Sequence, residues 1–158
     1  MTETPQGNEF IGPVQHLLET NRSDEAFALL RPVLDHAPDN PNAHYLMGFA
    51  CRYLGKTSQS VHHFSKALAA DPNNPLVIGN YATALYNDLR FAEAISFAQQ
   101  MLATEPGNVL WYKILCYGWQ SVGNAEKTAH FIRQAQLNAS GELNFQLPVH
   151  DVLPPDVV

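Results

Sequence analysis

Seven histidines and two cysteines are the residues of this chain whose types could do metal or nucleophilic chemistry. His62 and His63 are adjacent, so on a helix their side chains point about 100° apart and are poorly placed to share a ligand. No histidine pair has the i,i+4 spacing of a helical metal site, and no HExxH occurs. His16, His36, His44, His130 and His150 are spread over separate stretches. Cys51 and Cys116 form no CxxC and read as reduced thiols in the core, where free cysteine behaves as a small hydrophobe. The glycines make no phosphate loop or dinucleotide fingerprint, and no serine sits in a nucleophile-elbow context. The sequence therefore predicts no catalytic residue, no metal site and no cofactor, and the expected class is a non-enzyme.

Charge narrows the partners. The formal net charge is −6, and the nine basic residues are scattered singly. The basic stripe expected of a nucleic-acid-binding protein is missing, and attraction to an anionic membrane surface is not expected. No run of about 18 apolar residues could span a bilayer. Met1 to Asn8 is polar and lacks the apolar core of a signal peptide. With two thiols read as unpaired, the expected location is cytoplasmic.

What would position any functional residue is a repeat. Pro38, Pro72 and Pro106 stand 34 residues apart. Ala26, Ser60, Ala94 and Thr128 keep that period, as do Leu30, Phe64, Ala98 and Ile132. The most regular unit begins at Pro41. It predicts helices over about 41–54 and 58–71, flanking a turn at Leu54-Gly55-Lys56. The later pairs are expected over 75–89 with 91–104, and 109–122 with 125–138. The first pair, about 13–20 and 24–36, is interrupted by Gly12 and Pro13 and reads as an irregular cap, with Ser23 the expected N-cap of its second helix. Gly48 lies in mid-helix, where glycine costs roughly 1 kcal/mol against alanine. The expected compensation is a close approach of the second helix, with Ala67 as the other small contact.

The pattern resembles the tetratricopeptide repeat family. The matching residues are His44, Met47, Gly48, Cys51, Ser60, Phe64, Ala67 and Pro72 in the best copy. Ile78, Tyr81, Ala82, Leu85, Ala94, Ala98 and Pro106 follow in the next, then Tyr112, Leu115, Cys116, Trp119, Thr128, Ile132 and Ala135. The resemblance implies an all-α, right-handed superhelical solenoid of antiparallel helix pairs. About four repeats are expected, over residues 8–40, 41–74, 75–108 and 109–140. Residues 1–7 read as a disordered N-terminus. In the tail, 141–158, Leu143, Phe145, Leu147 and Val149 alternate with polar residues and proline, which predicts an extended segment.

In that fold the first helix of each repeat lines a concave groove. The faces expected there carry Asn42, Tyr45, Leu46, Phe49, Arg52 and Tyr53 in the second repeat, and Leu76, Gly79, Asn80, Thr83, Tyr86 and Asn87 in the third. The fourth offers Leu110, Lys113, Ile114, Tyr117, Gln120 and Ser121. Aromatic side chains beside Arg and Asn have the composition of an interaction hot spot. The peptide-binding residues expected are therefore Tyr45, Phe49, Arg52, Tyr53, Asn80, Thr83, Tyr86, Asn87, Lys113 and Tyr117. The bland alternative is that some of these rings pack between neighbouring first helices. The family's clamp for acidic tails needs Lys and Asn, whereas Tyr45 and Phe49 stand in those places here, so acidic tails are not expected ligands.

The first functional reading is a non-catalytic scaffold that binds a protein or peptide partner in the groove. A second is a chaperone like the small acidic helical-repeat proteins of bacterial type III secretion, which the chain resembles in length, acidity and the region Leu34 to Lys56. A third is an accessory domain of a larger transferase, with the tail as linker. Self-association as a homodimer would run through the tail or the terminal repeat.

Overall fold

A computed structural model of the protein describes residues 7–138. Among them the chain forms eight helices and no strand: α1 (Ile11–Glu19), α2 (Ser23–His36), α3 (Pro41–Tyr53), α4 (Thr57–Ala70), α5 (Pro75–Asn87), α6 (Phe91–Thr104), α7 (Val109–Ser121) and α8 (Ala125–Asn138). They form two compact units, one up to Ala84 and the other from Leu85, with the boundary inside α5. The expected N-terminal segment, apart from Gly7, and the extended tail lie outside the described residues.

The repeat period is written into the helix ends. Asn40, Asn74 and Asn108, each 34 residues from the next, start the first helices. Their Oδ1 atoms accept from the backbone N–H groups of Ala43 (3.0 Å), Leu76 (3.1 Å) and Leu110 (3.0 Å). Each bond satisfies one of the donors that a helix N-terminus leaves open. Pro41 and Pro75 follow as first helical residues, where a missing N–H costs little.

The turns inside each pair repeat too. Asn21, Gly55, Leu89 and Gly123, again 34 apart, all have positive φ, between 57° and 75°. The residue after each donates back five positions: Arg22 to Leu17, Lys56 to Cys51, Arg90 to Leu85 and Asn124 to Trp119, at 2.8–3.0 Å. This is the left-handed helix stop that frees the chain to reverse.

The second helices start differently from the expectation at Ser23. Ser23 is the first residue of α2 and is buried, and Arg22 takes the cap slot without a side-chain cap bond. Arg22 instead holds Glu25 at 2.6 Å, and Arg90 holds Glu93 at 2.7 Å in the equivalent place two repeats on.

In the first unit α3 is central and packs on α1, α2 and α4. Phe10, Val14, Ala26, Leu30, Met47, Ala50 and Cys51 are buried together. The gap at Gly48 is filled by Phe64, not by Ala67. A Cβ on Gly48 would stand 2.8 Å from the Phe64 ring, and Ser60 Oγ donates to the Gly48 carbonyl at 2.8 Å.

In the second unit α7 packs against α6 and α8. Gly118 makes the same kind of approach, with Ile95 2.7 Å from where its Cβ would be. Trp111 is buried against Phe97, edge to face, and donates from Nε1 to Glu105 Oε2 at 2.9 Å.

Candidate functional site

Within the first unit, Tyr45, Phe49 and Tyr53 follow one another at i,i+4,i+8 along α3. Tyr45 meets Phe49 edge to face at 5.1 Å between centroids, and Phe49 meets Tyr53 at 6.4 Å. Phe64 of α4 stands behind them, edge-on to Tyr45 (5.9 Å) and to Phe49 (5.3 Å). Because Phe64 is itself held against the Gly48 backbone, the row of rings is braced from the core outward. Tyr45 and Phe49 are half-buried, and Tyr53 is 56% exposed.

Arg52 lies over this row. Its guanidinium carbon is 4.7 Å from the Phe49 centroid and 5.5 Å from that of Tyr53, which is cation–π distance. Its Nη1 reaches Asn80 Oδ1 at 3.4 Å, and Asn80 Nδ2 donates to Tyr45 Oη at 3.2 Å. Burial raises the Tyr45 phenol above its ordinary pKa, opposed in part by Arg52 and by the Asn80 hydrogen bond. Thr83 is half-buried and spends its hydroxyl on the Gly79 carbonyl of its own helix, at 2.8 Å.

A cavity of about 280 Å³ opens in front of these rings, lined by Gln15, Leu18 and Glu19 of α1 and by Tyr45, Leu46, Phe49 and Tyr53 of α3. Sites for drug-sized molecules run from about 300 to 1,000 Å³, so this one suits a side chain or two of a longer ligand. The α1 residues were missed by the sequence reading, which treated the first repeat as a cap. The signal was present: one period back, Phe49, Arg52 and Tyr53 map onto Gln15, Leu18 and Glu19. A second cavity, of about 200 Å³, lies beside Pro41, Asn42, Tyr45, Asp71, Asn74 and Leu76.

In the second unit the expected groove residues part company. Tyr86 is only 7% exposed and is not an open anchor. Its ring meets Phe91 at 5.3 Å and Tyr117 at 6.3 Å, and its hydroxyl is 3.1 Å from Ser121 Oγ, so it fills the seam between α5 and α7. The bland alternative holds for this residue. Asn87 and Tyr117 are half-buried and Lys113 is exposed. The Tyr117 phenol is raised first by burial, then by Cys116 and Tyr86. Leu46, Gly79 and Ile114, expected on the open face, are buried, because side-by-side first helices cover part of the stripe opposite their second helices.

Both cysteines are buried free thiols. Among the described residues, no group of three or more His, Cys, Asp or Glu side chains is placed to hold a metal ion, and no helix is long and apolar enough to cross a membrane.

Residues 41–74 match the tetratricopeptide repeat family. The fold is likewise that of tetratricopeptide-type proteins: all-α, built from helix pairs. A MamA structure from AMB-1 superposes with a TM-score of 0.69 at 25% identity, over 84% of this chain and 74% of that one. One from MSR-1 gives 0.69 at 25% identity, over 77% and 70%. MamA from Desulfovibrio magneticus RS-1 gives 0.68 at 22% identity, over 80% and 71%. At these identities the likeness is one of fold. No curated protein matches the chain in sequence. The architecture is that of a scaffold for protein–protein interaction.

Proposed function

We propose that the chain is a non-catalytic interaction module whose first unit docks a segment of a partner protein against α1 and α3. The observation that carries this reading is the braced aromatic row of Tyr45, Phe49 and Tyr53 facing a cavity of about 280 Å³. Rings fixed before binding lose little freedom on binding, so more of the contact energy is retained as affinity. The cavity takes an apolar side chain of the partner, with Leu18 and Leu46 as its aliphatic wall. Arg52, positioned by Asn80, offers donors to partner carbonyls, and Gln15 and Glu19 accept from its N–H groups. Asn87, Lys113 and Tyr117 are proposed as separate contacts on the second unit. Thiols that stay reduced suit a cytoplasmic location, which is part of the proposal.

The test uses peptides selected from a random display library against the whole chain, and measures their affinity for variants. Tyr53→Ala combined with Leu18→Ser should weaken binding at least about tenfold, as loss of hot-spot contacts does, with helicity kept. Tyr45→Ala with Phe49→Ala should abolish it. Equal affinity in the Tyr53/Leu18 double variant would place the site elsewhere.

A further inference from the structure

Two histidines, one from each helix of the second repeat, meet ring to ring in the first unit. His44 of α3 is 6% exposed. Its Nε2 is 2.8 Å from the Pro38 carbonyl oxygen, and its Nδ1 is 2.9 Å from Nδ1 of His63 on α4. A carbonyl can only accept, so His44 carries its proton on Nε2. A neutral imidazole has one N–H, which leaves His44 Nδ1 as an acceptor. His63 must then donate from Nδ1. One backbone carbonyl thus fixes the tautomers of both rings.

The arrangement tolerates little added charge. A first proton, on His63 Nε2, keeps the Nδ1–H that bonds His44 but puts a charge on a half-buried ring against a buried one, which weakens the joint. A second, on His44 Nδ1, would set two N–H groups face to face at 2.9 Å and break it. His62, whose ring centroid is 5.2 Å from that of His63, adds a further charge of the same sign when protonated. Leading into α3, the nearest titratable residues along the chain are Asp35, His36 and Asp39, all exposed. On α1, which also packs on α3, they are His16 and Glu19, likewise exposed.

We propose that the His44–His63 pair is an acid-labile joint between α3 and α4, closed while both rings are neutral and loosened as protons are added at mildly acidic pH. Burial, then the charges of His44 and His62, push His63 down to about 4, with no carboxylate to offset them. The sign follows. A histidine freed by loosening binds a proton near pH 6.5, whereas His63 in the closed joint does not until about pH 4. Between these values the loosened form holds more protons, so stability is full above the upper value and is lost as pH falls towards the lower one. Phe64 follows His63 directly and braces Tyr45 and Phe49, so loosening would reach the docking face. The test reads the joint itself and does not depend on that face binding anything.

The experiment is a pair of measurements on the whole chain. In the first, melting temperature is followed from about pH 7.5 to about pH 5 for wild type and for His63→Asn, whose amide nitrogen stands where Nδ1 does and can still donate to His44 without titrating. Wild type should lose at least about 5 °C more than the variant, and parallel losses would overturn the proposal. In the second, ring-nitrogen NMR of the wild type should find His63 as the Nδ1–H tautomer and His44 as the Nε2–H tautomer at neutral pH. A His63 ring that carries its proton on Nε2, or titrates at its ordinary value of about 6.5, would overturn the proposal even if the variant failed to fold.

Discussion

Gly48 and Phe64 are in contact so close that a Cβ on the glycine would lie 2.8 Å from Cε1 and Cζ of the ring and 2.9 Å from Cδ1. This contact joins the two helices of the second repeat and, through the same ring, props Tyr45 and Phe49. Gly48→Ala removes a helix penalty of about 1 kcal/mol but forces a fully buried ring to move, which costs about 1–3 kcal/mol. The expected net result in urea unfolding is a loss of about 1 kcal/mol. Phe64→Leu in the same background should cost less than it does alone, because the leucine leaves room for the new methyl. Additive effects would mean that the two residues do not share the space.

Leu89 is the odd member of the left-handed series. Asn21, Gly55 and Gly123 are residue types that take positive φ readily, whereas leucine at φ 61° carries a penalty of about 1–2 kcal/mol. Its side chain is 54% exposed, so little packing is lost by removing it. Leu89→Gly should therefore stabilise the fold by about 1 kcal/mol, seen as a rise of a few degrees in melting temperature. A fall would show that the leucine side chain contributes more than its exposure suggests.

The period of 34 carried most of the fold in the sequence. The expected α6 and α8 agree with the observed bounds, α3, α5 and α7 end one or two residues earlier than expected, and α4 starts and ends one residue earlier. The site was less legible, for a geometrical reason. Periodicity says which face of a first helix is turned away from its own second helix. It does not say how far the neighbouring first helix covers that face, and so Tyr86 reads like Tyr53 in sequence yet fills a seam. Nor could spacing show that Gly48 answers to an aromatic ring, since a glycine records only that something comes near. The α1 wall of the cavity was hidden by composition, because Gln15 and Glu19 break the aromatic pattern that Phe49 and Tyr53 set.

Cys51 and Cys116 should be inert in the folded protein. Burial pushes both thiols up to about 11, so the reactive thiolate is scarce at neutral pH, and the sulfurs are shielded as well. Mass spectrometry after brief iodoacetamide treatment near pH 8 should find neither alkylated, and both alkylated once the chain is unfolded in guanidinium. Fast labelling of the native form would contradict the packing described for α3 and α7.

Glu105 ties the end of α6 to α7 by accepting from Trp111 Nε1 at 2.9 Å and from Asn108 Nδ2 at 2.7 Å. These bonds, the one from Trp111 first, hold its carboxyl below the ordinary range. The stability they add is present above the unfolded carboxyl value and is lost as pH falls through the lowered folded one. The carboxylate is solvent-accessible, so the effect is small. Glu105→Gln should lower the melting temperature by about 2 °C at neutral pH, with a shift in Trp111 fluorescence, and the difference from wild type should close once the pH falls below the ordinary carboxylate range. An unchanged spectrum would mean that the indole N–H bonds elsewhere in solution.

The central claim is that the α1–α3 face of the first unit receives a partner segment, and chemical-shift mapping tests it most directly. A display-selected peptide is titrated into the isotope-labelled chain, and perturbations are read residue by residue. The account predicts that Leu18, Tyr45, Phe49 and Tyr53 shift most, with Arg52 and Asn80 next. Shifts gathered on α2, α4 or α8, with these residues still, would contradict it.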